Sequence, residues 1–267
     1  MKGQFSGAIL RFLAALGALY GLLPAMAIAG QAPLIAAAAD LKVALTEAAG
    51  AFTEKTGQTV KLSFGSSGNF ARQITQGAAF ELFLSADEKY VRLLAQRGLT
   101  EGNGVLYARG RVVLFVPAGS PVKPDPELRG LAAALADGQL RRLAIANPEH
   151  APYGRAAREA LMKAGLWERL AGKLVLGENV AQAAQYALTG AVDSALIPYA
   201  LALAPAFQER GHYVLIAESW HAPLRQRMVL LKGAGATARQ FYGFLQQPAA
   251  RMIFARHGLA LALAVSQ

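Results

Sequence analysis

Residues 63–89 read SFGSSGNFARQITQGAAFELFLSADEK, and their order decides the fold. Val60, Leu62 and Phe64 alternate as the end of an apolar strand, which breaks at Gly65-Ser66-Ser67-Gly68. The spacing that follows predicts a helix over 69–76, then a strand over 81–86 that closes at Asp87, a residue suited to capping a helix over 88–96. A strand, then glycine and hydroxyl residues, then a helix aims backbone N–H groups and a partial positive charge at one point. Small residues let an anion approach, and Ser66 and Ser67 can donate hydroxyl protons. An ordinary βα loop whose serine caps its own helix has the same local pattern, so the rest of the chain has to separate the two readings.

Working outward, PLIAAAA at 33–39 reads as a buried strand that turns at Ala39-Asp40. Leu41, Ala44, Leu45, Ala48, Ala49 and Phe52 then recur at helical spacing, with Asp40 well placed as the N-cap. Strands alternate with helices, which argues for a parallel sheet covered on both faces. One long apolar strand is expected over 107–116, followed by a proline-crowded stretch that marks a second compositional unit. That unit has strands over 143–146, 174–176 and 190–198, and helices from Arg155, Ala181 and Tyr199. A late strand over 227–231 and two helices over 236–246 and 249–256 close the chain.

Lys2 and Arg11, an apolar run at 12–23 and the small residues Ala25-Met26-Ala27-Ile28-Ala29 predict a secretory signal over 1–29, with cleavage after Ala27 as the alternative to Ala29. The apolar run is short for a spanning helix. Removing Lys2 and Arg11 leaves 25 basic against 17 acidic residues, a net +8 on about 238 residues. No cysteine is present, which excludes thiol catalysis, thiolate metal sites and disulfides. The basic residues are dispersed and no DNA-binding motif occurs, so no nucleic-acid partner is expected.

Four junctions share one design: Ala39-Asp40, Ser66-Ser67, Tyr153-Gly154 and Asn179-Val180 each lie where a strand or loop feeds a helix. In an open α/β sheet, ligands bind beyond the carboxyl ends of strands, where such junctions gather. No carboxylate pair, Ser-His-Asp order or Gly-x-Ser-x-Gly elbow accompanies them, and Ser66 and Ser67 have no evident base. The pattern points to binding and not to an enzyme.

FGSSGNFARQI, ELFLSADEK, YARGRVVLFVP, ANPEHAPYG and GENV…AVDSALIPYA stand in an order that resembles the periplasmic molybdate-binding proteins of ABC transporters, over about 34–258. The resemblance implies an α/β, two-lobed type II periplasmic binding-protein fold, each lobe a mixed, mostly parallel sheet flanked by helices, with the oxyanion in the cleft between them. It implies lobes of 30–109 plus 223–267 and of 110–222, with crossings within 107–114 and 222–228. Carried over by position, the ligand-binding residues are Ala39, Asp40, Ser67, Tyr153, Val180 and Tyr199. Ser67 matches a hydroxyl donor, Tyr153 and Val180 match positions giving mainly backbone N–H groups, and Tyr199 matches a tyrosine that reaches the anion in some members. Relatives usually carry Ser or Thr where this chain has Ala39, so one hydroxyl donor is missing. The implied ligand is molybdate or tungstate, held as an oxyanion with no side chain on the metal itself and no cofactor. The implied partner is the membrane permease of an ABC transporter, and the implied setting is a periplasmic monomer.

Asp40 leaves two readings open: an N-cap turned into its helix, or an acceptor lining the pocket. An acceptor would repel a dianion but take the proton of a protonated one, so phosphate stays an alternative ligand, with sulfate as a second tetrahedral candidate. Arg72, Arg109, Arg111 and Arg155 read as solvated or paired within a lobe, and Tyr90, Trp167 and Trp220 as packing. Other users of this fold need features this chain lacks: a transcription-factor effector its DNA-binding module, a porphobilinogen-polymerising enzyme its cofactor-bearing cysteine.

Overall fold

The computed structural model describes residues 31–261; the expected signal segment lies outside them. Two mixed sheets organise the chain. In the first, β1 (Leu34–Ala38) pairs in parallel with β2 (Lys61–Gly65) and β3 (Leu82–Ser85). Ile35, Ala36 and Ala37 are wholly buried, as expected of a central strand covered on both faces. Helix α1 (Lys42–Thr56) follows β1 through a 3-10 turn at Ala39–Leu41, α2 (Ser67–Thr75) follows β2, and α3 (Glu88–Gln96) follows β3. The Asp87 carboxylate caps α3 by accepting from Lys89 N at 2.9 Å.

The expected strand over 107–116 is two strands in different sheets. β4 (Val105–Gly110) belongs to the first sheet and β5 (Val112–Pro117) to the second, with Arg111 between them. In the second sheet β6 (Leu143–Ala146) pairs in parallel with β7 (Leu174–Gly177) and β8 (Ser194–Pro198), while β5 runs antiparallel to β8 and to β9 (Gly211–Leu215). The chain returns through β10 (Leu224–Leu230), which inserts antiparallel between β3 and β4, and β11 (Ala260–Leu261) pairs with β4. The strand orders are β11-β4-β10-β3-β1-β2 and β7-β6-β8-β5-β9. Each sheet thus keeps a parallel βα core and gains antiparallel strands where the chain crosses and comes back, a feature strand–helix alternation alone does not disclose.

The described residues form three buried clusters, one around the second sheet and one on each face of the first. Around the second sheet, α5 (Pro152–Lys163) and α6 (Val180–Leu188), which follow α4 (Arg129–Ala136), bury Ala156, Ala157, Ala160, Ala183, Ala184 and Ala187. Alanine side chains let these helices lie close on the sheet, bringing their N-termini near the strand ends. The short helices α7 (Tyr199–Ala202) and α8 (Pro205–Gln208) follow β8. Around the first sheet, α9 (Ala236–Leu245) supplies Phe241 and Phe244, whose ring centres lie 5.1 and 5.6 Å from that of Phe52 on α1. Helix α10 (Pro248–Arg256) precedes β11.

Candidate functional site

The four junctions meet. Ala39, Asp40, Ser67, Tyr153 and Val180 line one narrow space with Ser66 and their neighbours, two junctions coming from each lobe. The space is about 10 Å³, room for roughly one water, so the lobes nearly touch here. Each of the five residues lies in the first turn of a helix or 3-10 turn, where no preceding carbonyl accepts its N–H. Two helices avoid blocking their own donors. Pro152 takes the first position of α5, leaving Tyr153 the first N–H there, and Asn179 caps α6 by accepting from Ala181 N and Gln182 N, not from Val180 N.

Ser67 is wholly buried, and its Oγ accepts from Ala86 N at 3.0 Å, which leaves the hydroxyl proton free to point elsewhere. Ser66 does different work: its Oγ lies 2.9 Å from His150 Nδ1 on the opposite lobe. Gly68 N donates to His150 O at 2.9 Å beside it, and a Cβ on Gly68 would stand 2.6 Å from that oxygen, so glycine permits this approach. Arg155 is expected from the sequence on a solvated face or in a pair within its lobe. It makes such a pair with Glu159 at 3.4 Å and also bonds to Asp87 of the other lobe at 2.6 Å.

Asp40 departs furthest from its expected role. Its side chain caps nothing, because it sits inside the 3-10 turn and not before it. It is 2% exposed, and Oδ2 accepts from Tyr153 OH at 3.0 Å and from Gln226 Nε2 at 2.6 Å. The contact with Tyr153 joins the two lobes. Gly110, at the first crossing, gives the space: a Cβ there would meet Tyr153 OH at 2.2 Å. Asp40 Oδ1 and Gln226 Oε1 are buried without a partner among the described residues. Burial pushes the Asp40 carboxyl up to about 6, outweighing the opposing bonds from Gln226 and Tyr153. Burial, and then the charge of Asp40, push the Tyr153 hydroxyl well above its ordinary range.

Tyr199 is not brought to this space. Its ring lies under the Arg111 guanidinium, 4.4 Å from the centroid, and against Tyr213 at 5.6 Å. Its N–H donates to Arg111 O at 2.9 Å, so the residue braces the first crossing. Gln226 is a site residue that the sequence does not single out; a wholly buried glutamine on a strand otherwise reading LRQRMVL carries no local signal of its partner.

Converging N–H groups and a free hydroxyl, without a paired cation, suit a small anion. The family model described as bacterial extracellular solute-binding protein matches residues 33–260. The chain is 36% identical over 228 residues to the molybdate-binding protein ModA of Rhodobacter capsulatus, covering 84% of this chain and 86% of that protein. The chain belongs to this solute-binding family. A second member, the molybdate-binding protein ModA of Azotobacter vinelandii, is 34% identical over 254 residues, covering 94% of this chain and 97% of its own length. The solved structure of the Azotobacter vinelandii periplasmic molybdate-binding protein superposes on this solute-binding protein with a TM-score of 0.78 at 30% identity, covering 86% of this chain and all of that one. The two-lobed type II fold is therefore the family's own.

Proposed function

We propose that this solute-binding protein captures molybdate, and tungstate with it, outside the cytoplasm and delivers it to the membrane permease of an ABC transporter. The observation that carries the reading is the convergence of four N–H-bearing junctions, two from each lobe, on one buried space. A tetrahedral oxyanion offers acceptor oxygens in all directions, and donors arriving from both sides match it. The names of the relatives support molybdate as that anion. In this reading the donors are the N–H groups of Ala39, Asp40, Ser67, Tyr153 and Val180 and the Ser67 hydroxyl. The lobes are 30–109 plus 223–267 and 110–222, the exported chain starts after a signal segment at 1–29, and it works as a monomer without a cofactor or catalysis. The expected contact from Tyr199 is not carried forward, given where its ring lies.

Thermal unfolding of the exported chain with added oxyanions tests the assignment. Molybdate and tungstate at a hundredfold excess over Kd stabilise by roughly 2.7 kcal/mol, while equimolar sulfate and phosphate leave the melting temperature nearly unchanged. Equal shifts from sulfate, or none from molybdate, sink it.

A further inference from the structure

We propose that Asp40 engages the bound oxyanion in its protonated form, donating from Oδ1, so that each anion captured carries one proton into the cleft. The inference rests on the ligand reading above and adds a role for a side chain that the donor set alone does not explain. The other polar groups lining the space that are assigned to the ligand are N–H or O–H donors. Asp40 contributes the exception, a carboxylate oxygen buried without a partner among the described residues on a residue that lines the space. Gln226 Oε1, behind Asp40, is a second buried acceptor without a partner among the described residues. Its other oxygen is already committed to Tyr153 and Gln226.

An oxyanion has no proton to give once fully ionised. An ionised Asp40 would then set a third negative charge beside it at a residue only 2% exposed, where charges are poorly screened. A proton on Oδ1 removes that charge and turns the orphan acceptor into a donor, completing a lining of donors around an acceptor-only ligand. The groups packed against Asp40 offer no rival explanation. Tyr153 on α5 and Tyr107 on β4 are buried tyrosines held neutral, and Gln226 on β10 is an amide. Arg155 is paired with Asp87 and Glu159, the His150 ring contacts Ser66 and Glu178, and Arg111 stacks over Tyr199 with its Nε unpartnered among the described residues. Burial has already moved the carboxyl up to about 6, and a neighbouring dianion pushes the same way. The proton comes from solvent and returns to it on release, so binding and proton uptake are linked.

Calorimetric titration of the exported chain with sodium molybdate, in paired buffers of different ionisation enthalpy between pH 6.5 and 8.5, reads the linkage directly. Wild type is expected to take up close to one proton per anion at the upper end. Its affinity is expected to fall toward tenfold per pH unit there. Asp40→Asn supplies a permanent N–H donor of the same shape; it should bind with no proton uptake attributable to this site, a flat profile, and higher affinity than wild type at pH 8.5. Molybdate binding by wild type without proton uptake, or an Asp40→Asn profile as steep as wild type, overturns the proposal. Phosphate binding tighter than molybdate also overturns it, since Asp40 would then be an acceptor for the ligand's own proton. No molybdate binding at any pH overturns the ligand assignment itself, and this inference with it. The wild-type measurement stands without the variant, so poor folding of Asp40→Asn leaves the test intact.

Discussion

Asp40 and Asp193 are hidden to nearly the same degree, 2% and 3% exposed, yet the protein treats them in opposite ways. Asp193, just before β8, accepts from Arg141 N at 2.6 Å, Arg142 N at 3.0 Å, and the Arg141 guanidinium at 2.7 and 2.9 Å. Burial raises its titration, but the Arg141 side chain and the two N–H groups outweigh that and hold it below the usual carboxylate range. Asp40 has only neutral donors, Gln226 and Tyr153 on one oxygen and, more weakly, its own backbone N–H, and burial wins. Exposure is alike, but Asp193 lies close under the surface beside the exposed Arg141 while Asp40 lies deep, so weaker desolvation and more donors together separate the two carboxylates. A carboxylate met by backbone donors is a structural pin. One left half-met, in a space shared by both lobes, is kept available for something the fold itself does not supply.

The largest expected effect breaks the pin. Asp193→Ala leaves the N–H groups of Arg141 and Arg142 without their acceptor and should cost roughly 1–3 kcal/mol of unfolding free energy for each of them by urea denaturation. The exposed Arg141 side chain contributes little of this. Molybdate affinity of the folded fraction should stay unchanged, and a specific loss of binding would contradict the division between the two sites.

Asp40 should behave with the opposite sign. Its folded titration lies above the ordinary 3.8, so the folded state holds the extra proton between about 4 and 6. Stability attributable to Asp40 therefore falls as pH rises through that window and stays low above it. For Asp193 the native value is depressed, so its contribution is present above the ordinary value and is lost on acidification. Asp40→Asn should remove the Asp40 decline, gaining up to roughly 3 kcal/mol at pH 8 relative to wild type, from about 1.4 kcal/mol for each pH unit that separates the folded and unfolded titrations. Urea midpoints of both proteins from pH 4 to 8 measure it; parallel curves would show that the carboxylate is not strained in the ligand-free fold.

A third comparison is within the cleft. Ser67 presents a hydroxyl whose proton is uncommitted, while its oxygen holds Ala86 N. A hydrogen bond to a charged ligand is worth roughly 1.5–3 kcal/mol, so Ser67→Ala should weaken molybdate binding ten- to a hundredfold or slightly more by titration. The five backbone donors survive, so binding should not vanish.

Much of this can be read from the chain because the junction logic is local. Glycine and serine between a strand and a helix, an asparagine before Val180 and a proline before Tyr153 fix where donors point within a few residues. What cannot be read is long-range. Asp40 meets Tyr153 across 113 residues and Gln226 across 186, and a local rule favours the N-cap reading. The strand expected over 107–116 fails for a related reason: β4 and β5 are both apolar, and only their partners in separate sheets require the break at Arg111. The strand over Gly211–Leu215 has little signal of its own, because GHYVL is short and half-exposed, an edge strand whose identity comes from β5. Arg155 has the sequence setting of an ordinary first-turn arginine paired with Glu159 one turn on, and nothing local discloses its second partner, Asp87 of the other lobe.

The smallest expected effect separates two adjacent serines. Ser66 and Ser67 are indistinguishable by type, and both are buried, but Ser66 spends its hydroxyl on His150 across the cleft at 2.9 Å. It stabilises the contact between the lobes, as donor or as acceptor according to the His150 tautomer. Removing a neutral hydrogen bond of this kind costs about 0.5–1.5 kcal/mol. If the lobes part to admit the ligand, a bond that spans them is made only on closure, and its loss reaches the ligand through that step. Ser66→Ala should therefore weaken molybdate binding by roughly two- to tenfold, less than Ser67→Ala, and the loss should appear mainly as faster release, because a weakened clasp opens sooner. Stopped-flow displacement of molybdate from both variants measures this. If Ser67→Ala binds like wild type while Ser66→Ala loses the larger factor, the donor is one residue earlier than its hydrogen-bond pattern indicates, and the Ser66–His150 contact is what a bound anion replaces.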